Sequence, residues 1–169
     1  MNSKLIGVFV AVTLILMVGG VWLMSATGTK KPLMGEEIVS QGSTHVALGQ
    51  DHPAYNSNPP TSGWHSGTGT AGPGIKDQLV SDELILHSME HGAVVVWYKD
   101  DLSESEVERI KKTFNKAFGK KIMLPLKNLD VPVALTSWGR LLKLQSVDET
   151  TIKEFIETNN DRAPEKAMI

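Results

Sequence analysis

Residues 5–24 read LIGVFVAVTLILMVGGVWLM, twenty positions without a charge and with Thr13 as the only clearly polar side chain. A helix rises 1.5 Å per residue, so about 20 such residues match the roughly 30 Å hydrocarbon layer of a bilayer. A cleaved signal peptide would carry a shorter apolar core, about 7–15 residues, followed by a small-residue cleavage site. Ser25-Ala26-Thr27 matches such a site poorly. Residues 1–25 are therefore expected to form an uncleaved, single-pass transmembrane anchor. Lys4 and the amino terminus precede the run and Lys30 and Lys31 follow it, so the flanking charges hardly set its direction. A long domain behind an N-terminal anchor usually crosses the membrane regardless of charge. The expected location is the cell membrane, with the following domain outside the cytoplasm.

Behind a tether at residues 26–42, residues 43–169 hold enough chain for one core and not two. The first part, 43–77, lacks the periodicity of helix or strand and carries Pro53, Pro59, Pro60, Pro73 and several glycines. Structureless runs of this length inside a domain are uncommon and are either functional or disordered. Tyr55 and Trp64 favour the first. Beyond it the signals are conventional. Ala93–Tyr98 (AVVVWY) reads as a buried strand. Ser103 and Glu106 form a capping-box pair, with Val107, Ile110, Phe114 and Phe118 at helical spacing, so a helix is expected over Glu104–Phe118. Lys121–Leu126, Val131–Trp138 and Arg140–Leu144 read as strands, with turns at Asn128–Asp130 and Gly139. Asp148 is placed to cap a last helix whose Ile152, Phe155 and Ile156 face the core. The order β-α-β-β-β-α implies an α+β single domain, a mostly antiparallel sheet with helices packed on it.

The composition narrows the chemistry. The chain has no cysteine, which excludes disulfides, thiolate metal sites and cysteine nucleophiles. A formal net charge of −2 argues against nucleic acid as a partner. Five histidines are present, and all lie between His45 and His91. His87-Ser-Met-Glu-His91 is the densest group. If Ser81–Gly92 is helical, His87 and His91 stand at i and i+4 and can share one ion. If it is a strand, they lie about 13 Å apart along the chain and cannot. Met89 would face away from that pair, and Glu90 reads as a solvated or ion-paired charge. His65 follows the stiff Pro59-Pro60-Thr61-Ser62-Gly63 approach, and His45 is a further candidate in the same loop. His52, between Asp51 and Pro53, reads as an exposed turn residue. Residues 87–91 (HSMEH) also formally match the H-x-x-E-H signature of zinc proteases, for which Glu154 or Glu157 would have to supply the third ligand.

These segments resemble the DUF3105 family, membrane-anchored proteins of unknown function. The resemblance rests on His45, Tyr55, PPTSGWH over 59–65, HSMEHG over 87–92 running into AVVVWY, Thr136–Arg140, and Ala163-Pro164-Glu165. It implies that His45, His65, His87, Glu90 and His91 occupy motif positions, and it brings no reaction with it.

The reading that follows is an extracytoplasmic domain that binds copper or zinc through His65, His87 and His91, with His45 as a fourth ligand, for metal handling or delivery to a membrane-protein partner. No residue is assigned a catalytic role. The alternative is a metal-free protein-interaction or accessory module of a membrane complex, favoured if the imidazoles of His65, His87 and His91 fail to converge within about 4–5 Å of one another. A small metallohydrolase is the third possibility.

Overall fold

A computed structural model describes residues 2–26, 30–165 and 169, without the side chains of 3, 4 and 21–26. The chain falls into two compact units, Met1–Pro32 and Leu33–Ile169. The first is helix α1, Ser3–Ala26. Its Leu5, Phe9, Ile15, Leu16 and Val18 are exposed, and Thr13 satisfies its hydroxyl within the helix by donating to the Phe9 carbonyl at 2.8 Å. Among the described residues, no helix is long and apolar enough to cross a membrane. Val21–Met24, which complete the apolar run, lie outside the described side chains. The spanning anchor expected over residues 1–25 thus goes beyond what α1 shows.

The second unit contains, in chain order, β1 (Glu36–Glu37), β2 (His45–Val46), β3 (His65–Ser66), β4 (Gly74–Ile75), α2 (Asp82–Glu90) and β5 (Val94–Lys99). It continues with α3 (Glu104–Lys116), β6 (Lys121–Leu126), β7 (Val133–Ser137), β8 (Arg140–Leu144) and α4 (Glu149–Asn159). Six strands form one sheet in the order β1-β8-β7-β5-β6-β4, and β2 pairs with β3 separately. The α+β class is as expected, but the sheet is mixed rather than mostly antiparallel. β7 runs antiparallel to β5 and β8, as does β1 to β8, whereas β5 and β4 each run parallel to β6. The cause is α3. A helix connecting two neighbouring strands returns the chain to the same end of the sheet, so β5 and β6 must be parallel.

Side chains alternate across β5 and divide the core. Val95 and Trp97 pack on one face with Ile85, Leu86 and Met89 of α2, while Val94 and Val96 pack on the other with Ile110, Phe114, Ile152, Phe155 and Ile156 of α3 and α4. The helix caps follow the sequence signals. The Ser103 hydroxyl accepts from the Glu106 amide while the Glu106 carboxylate accepts from the Ser103 amide, and Asp148 accepts from the Thr150 and Thr151 amides. One expectation fails locally. α3 stops at Lys116, the chain turns extended at Ala117, and Phe118 is 80% exposed instead of joining the core stripe.

Residues 33–42, read as tether, enter this unit. β1 pairs with β8, and Asn159 both accepts from the Met34 amide and donates to its carbonyl. The irregular run 43–77 is likewise held in place. Its three short strands account for part of this. The Gly139 amide, in the β7–β8 turn, donates to the Thr61 carbonyl at 3.0 Å, and the Gln41 amide donates to Ser62 Oγ at 3.0 Å. Tyr55 Oη reaches the Trp64 carbonyl at 2.8 Å. The run is thereby a built loop, lying against the face of the sheet that carries α2.

Candidate metal centre

Three elements bring the histidines together. In the parallel β2–β3 pair, His45 stands opposite His65, so the two rings come side by side with centroids 4.9 Å apart. Gly67 permits this approach: a Cβ there would stand 2.9 Å from the Cβ of His45. The third element is α2. Its helical form settles the ambiguity at residues 81–92 and places His87, Glu90 and the capping residue His91 along one side, at i, i+3 and i+4. The His87 ring lies 5.3 Å from that of His45, 5.5 Å from His65 and 4.6 Å from His91.

Glu90 sits at the centre and is 2% exposed. Its Oε2 lies 2.9 Å from His65 Nε2 and 3.1 Å from His45 Nε2. Of the two roles expected for Glu90, solvated or ion-paired, the structure shows the second, and shows it buried. The available signal was its i+3 spacing from His87, which puts it on the histidine face of a helix rather than in solvent.

The backbone dictates which nitrogens carry hydrogen. A carbonyl only accepts, so the 2.7 Å contact of His65 Nδ1 with the Gly63 carbonyl fixes N–H at Nδ1, and the equal contact of His87 Nδ1 with the Gly69 carbonyl does the same. In each neutral ring Nε2 then holds the lone pair. Histidines that ligate metals are oriented in just this way, by an N–H on the far nitrogen donating to a carbonyl or carboxylate. The Gly69 loop is itself tied to α2, through the Ala71 amide donating to Ser88 Oγ and the Leu84 carbonyl.

Electrostatics favour ligand-competent forms. Burial pushes the His87 imidazole below its ordinary value, reinforced by the neighbouring His91, His65 and His45 and only partly opposed by its bond to Gly69. Burial would push the Glu90 carboxyl up, but hydrogen bonds from His45, His65 and Ser43, with the His65 charge, outweigh it and leave the group below its ordinary value. A neutral imidazole and an ionised carboxylate thus coexist near neutral pH. A bare His65 Nε2 facing an ionised oxygen would set two acceptors together. The contact is satisfied by a proton on Nε2, or by a cation between the groups.

His45, His87 and Glu90 can each offer a ligand atom with all three within 4.8 Å of one another, and so can Glu90, His91 and Glu165. The first group is joined by His65 through its contact with Glu90 Oε2. The expected trio of His65, His87 and His91 does not close within about 4–5 Å, since the His65 and His87 ring centroids stand 5.5 Å apart; instead His45, His65 and His87 surround one carboxylate, while His91 flanks His87 and belongs to the neighbouring group. His52 stays apart, bonded to the Pro53 carbonyl and packed on Tyr55. Met89 is fully buried, and its sulfur accepts from Thr136 Oγ1.

A model of one protein family matches residues 45–168. The chain belongs to the DUF3105 family, proteins of unknown function. No curated protein and no solved structure matches it. The DUF3105 match begins at His45 and takes in every residue of both ligand groups, including Glu165 near the C-terminus. The zinc-protease pattern finds no support in this DUF3105 domain. α4, which carries Glu154 and Glu157, packs in the core cluster on the opposite face of the sheet from α2, and Glu157 accepts from Lys153 and the Phe118 amide.

Proposed function

We propose that this DUF3105 protein binds a transition-metal ion through His45, His65, His87 and Glu90, and that α1 anchors it to a membrane, with the domain outside the cytoplasm handling that metal or passing it to a membrane partner. The observation that carries the proposal is the convergence of His45, His65 and His87 on the buried Glu90 carboxylate, with the backbone bond from His87 Nδ1 leaving that ring a lone pair on Nε2. An imidazole and carboxylate donor set without thiolate suits zinc and copper(II), and the core position of Met89 removes the thioether that copper(I) would favour. The exposed edge of the centre is His45, whose side chain is 45% accessible, and it offers an ion a route in and out. Transfer requires such a route, whereas a purely structural site is closed.

Calorimetric titration of the full chain in mild detergent tests this. Zinc or copper(II) is expected to bind stoichiometrically, His65→Ala and His87→Ala to abolish the heat, and His52→Ala to leave it unchanged. Absence of stoichiometric binding, or binding indifferent to the first two substitutions, overturns the proposal.

A further inference from the structure

The metal reading above leaves His91 unexplained. Both of its ring nitrogens are buried and, among the described residues, lack a hydrogen-bond partner. A neutral imidazole must carry one N–H, and leaving it unpaired in the interior costs about 1–3 kcal/mol. An orphan of this kind inside a cluster of ligand-type side chains calls for a partner. The Glu165 Oε2 lies 3.7 Å from His91 Nε2, too far for a hydrogen bond. That gap is close to what two ligands of one ion show: with each ligand about 2 Å from the metal, the two lie some 3–4 Å apart.

Glu165 is held there by the backbone. Its amide donates to the Glu90 carbonyl at 3.1 Å, so the Ala163-Pro164-Glu165 segment docks on the end of α2. Glu90 then belongs to two ligand groups at once, with His45 and His87 on one side and with His91 and Glu165 on the other. A carboxylate has two oxygens and can bridge two cations, the arrangement of sites whose metals stand about 3.5–4 Å apart.

We infer that the centre is binuclear: Glu90 bridges the ion described above to a second divalent cation held by His91 and Glu165. This rests on the metal reading, and it assigns the second position a nitrogen-and-oxygen donor set of the kind zinc accepts. Because the Glu165 side chain is 52% exposed, this position is the more open of the two and fills second.

Equilibrium dialysis of the full chain against zinc, with metal counted by mass spectrometry, tests the inference. The expected result is two zinc ions per wild-type chain and one for Glu165→Gln, whose exposed side chain makes loss of folding a poor explanation. His91→Gln is expected to give one as well. A wild-type chain that saturates at one ion, or a Glu165→Gln chain that still binds two, overturns the binuclear assignment and leaves the metal reading standing. A wild-type chain that binds no zinc overturns the binuclear assignment, and one that binds neither zinc nor copper(II) in the titration above removes both.

Discussion

Replacing Glu90 by glutamine is expected to weaken metal binding by on the order of 100-fold. Glutamine keeps the size of the side chain but removes the charge that His45 and His65 both face within about 3 Å. Loss of residues that merely orient a ligand costs 10–100-fold, and Glu90 touches the binding position itself. The effect is readable as metal-dependent stability. At a zinc concentration about 100 times the wild-type Kd, bound metal stabilises the fold by about 2.7 kcal/mol, and a 100-fold weaker variant retains only about 0.4 kcal/mol. Thermal denaturation with and without zinc is therefore expected to show a large upward shift for the wild type and a near-absent one for Glu90→Gln. Equal shifts would remove Glu90 from the centre.

Gly92→Ala is expected to destabilise the fold by about 2–5 kcal/mol, lowering the midpoint of thermal unfolding by about 10 °C. Gly92 directly follows the histidine pair and has φ +92°, a conformation that costs a side-chain residue about 1–3 kcal/mol. A Cβ there would also lie 2.9 Å from the Asp161 Cα, a backbone atom that cannot step aside. The contact matters because the Gly92 carbonyl accepts from the Asp161 amide and from Asn160 Nδ2, bonds that join the end of α2 to the C-terminal segment. Gly49→Ala separates the two contributions. Gly49 also has positive φ, +76°, but a Cβ would meet nothing within 4 Å, so only the strain of about 1 kcal/mol is expected. If the two variants unfold at the same temperature, the clash with Asp161 has no weight.

Signals carried by neighbouring residues were legible in the sequence. The Ser103–Glu106 box, the Asp148 cap and the β-branched run at 93–98 produced the elements they imply, because caps and periodicity act over one or two turns. The direction of β6 was not legible, since it depends on which strand β6 chooses as neighbour. Phe118 fits a helical stripe by spacing alone, but the helix ends before reaching it. At the centre, the pairing of His87 with His91 followed from helical spacing, while the convergence of His45 on His65 follows from a two-residue parallel ladder across a loop. No local pattern announces such a ladder. The burial of Glu90 was not legible for a related reason: its partners His45 and His65 come from the loop that covers α2.

The central claim is that imidazoles hold the ion, and X-ray absorption at the zinc edge addresses it directly. The full chain loaded with one equivalent of zinc is predicted to show a nitrogen-and-oxygen shell at about 2.0–2.1 Å, no sulfur, and the outer-shell scattering of at least two imidazole rings. An oxygen-only shell without imidazole scattering, or zinc that washes away before measurement, would contradict it.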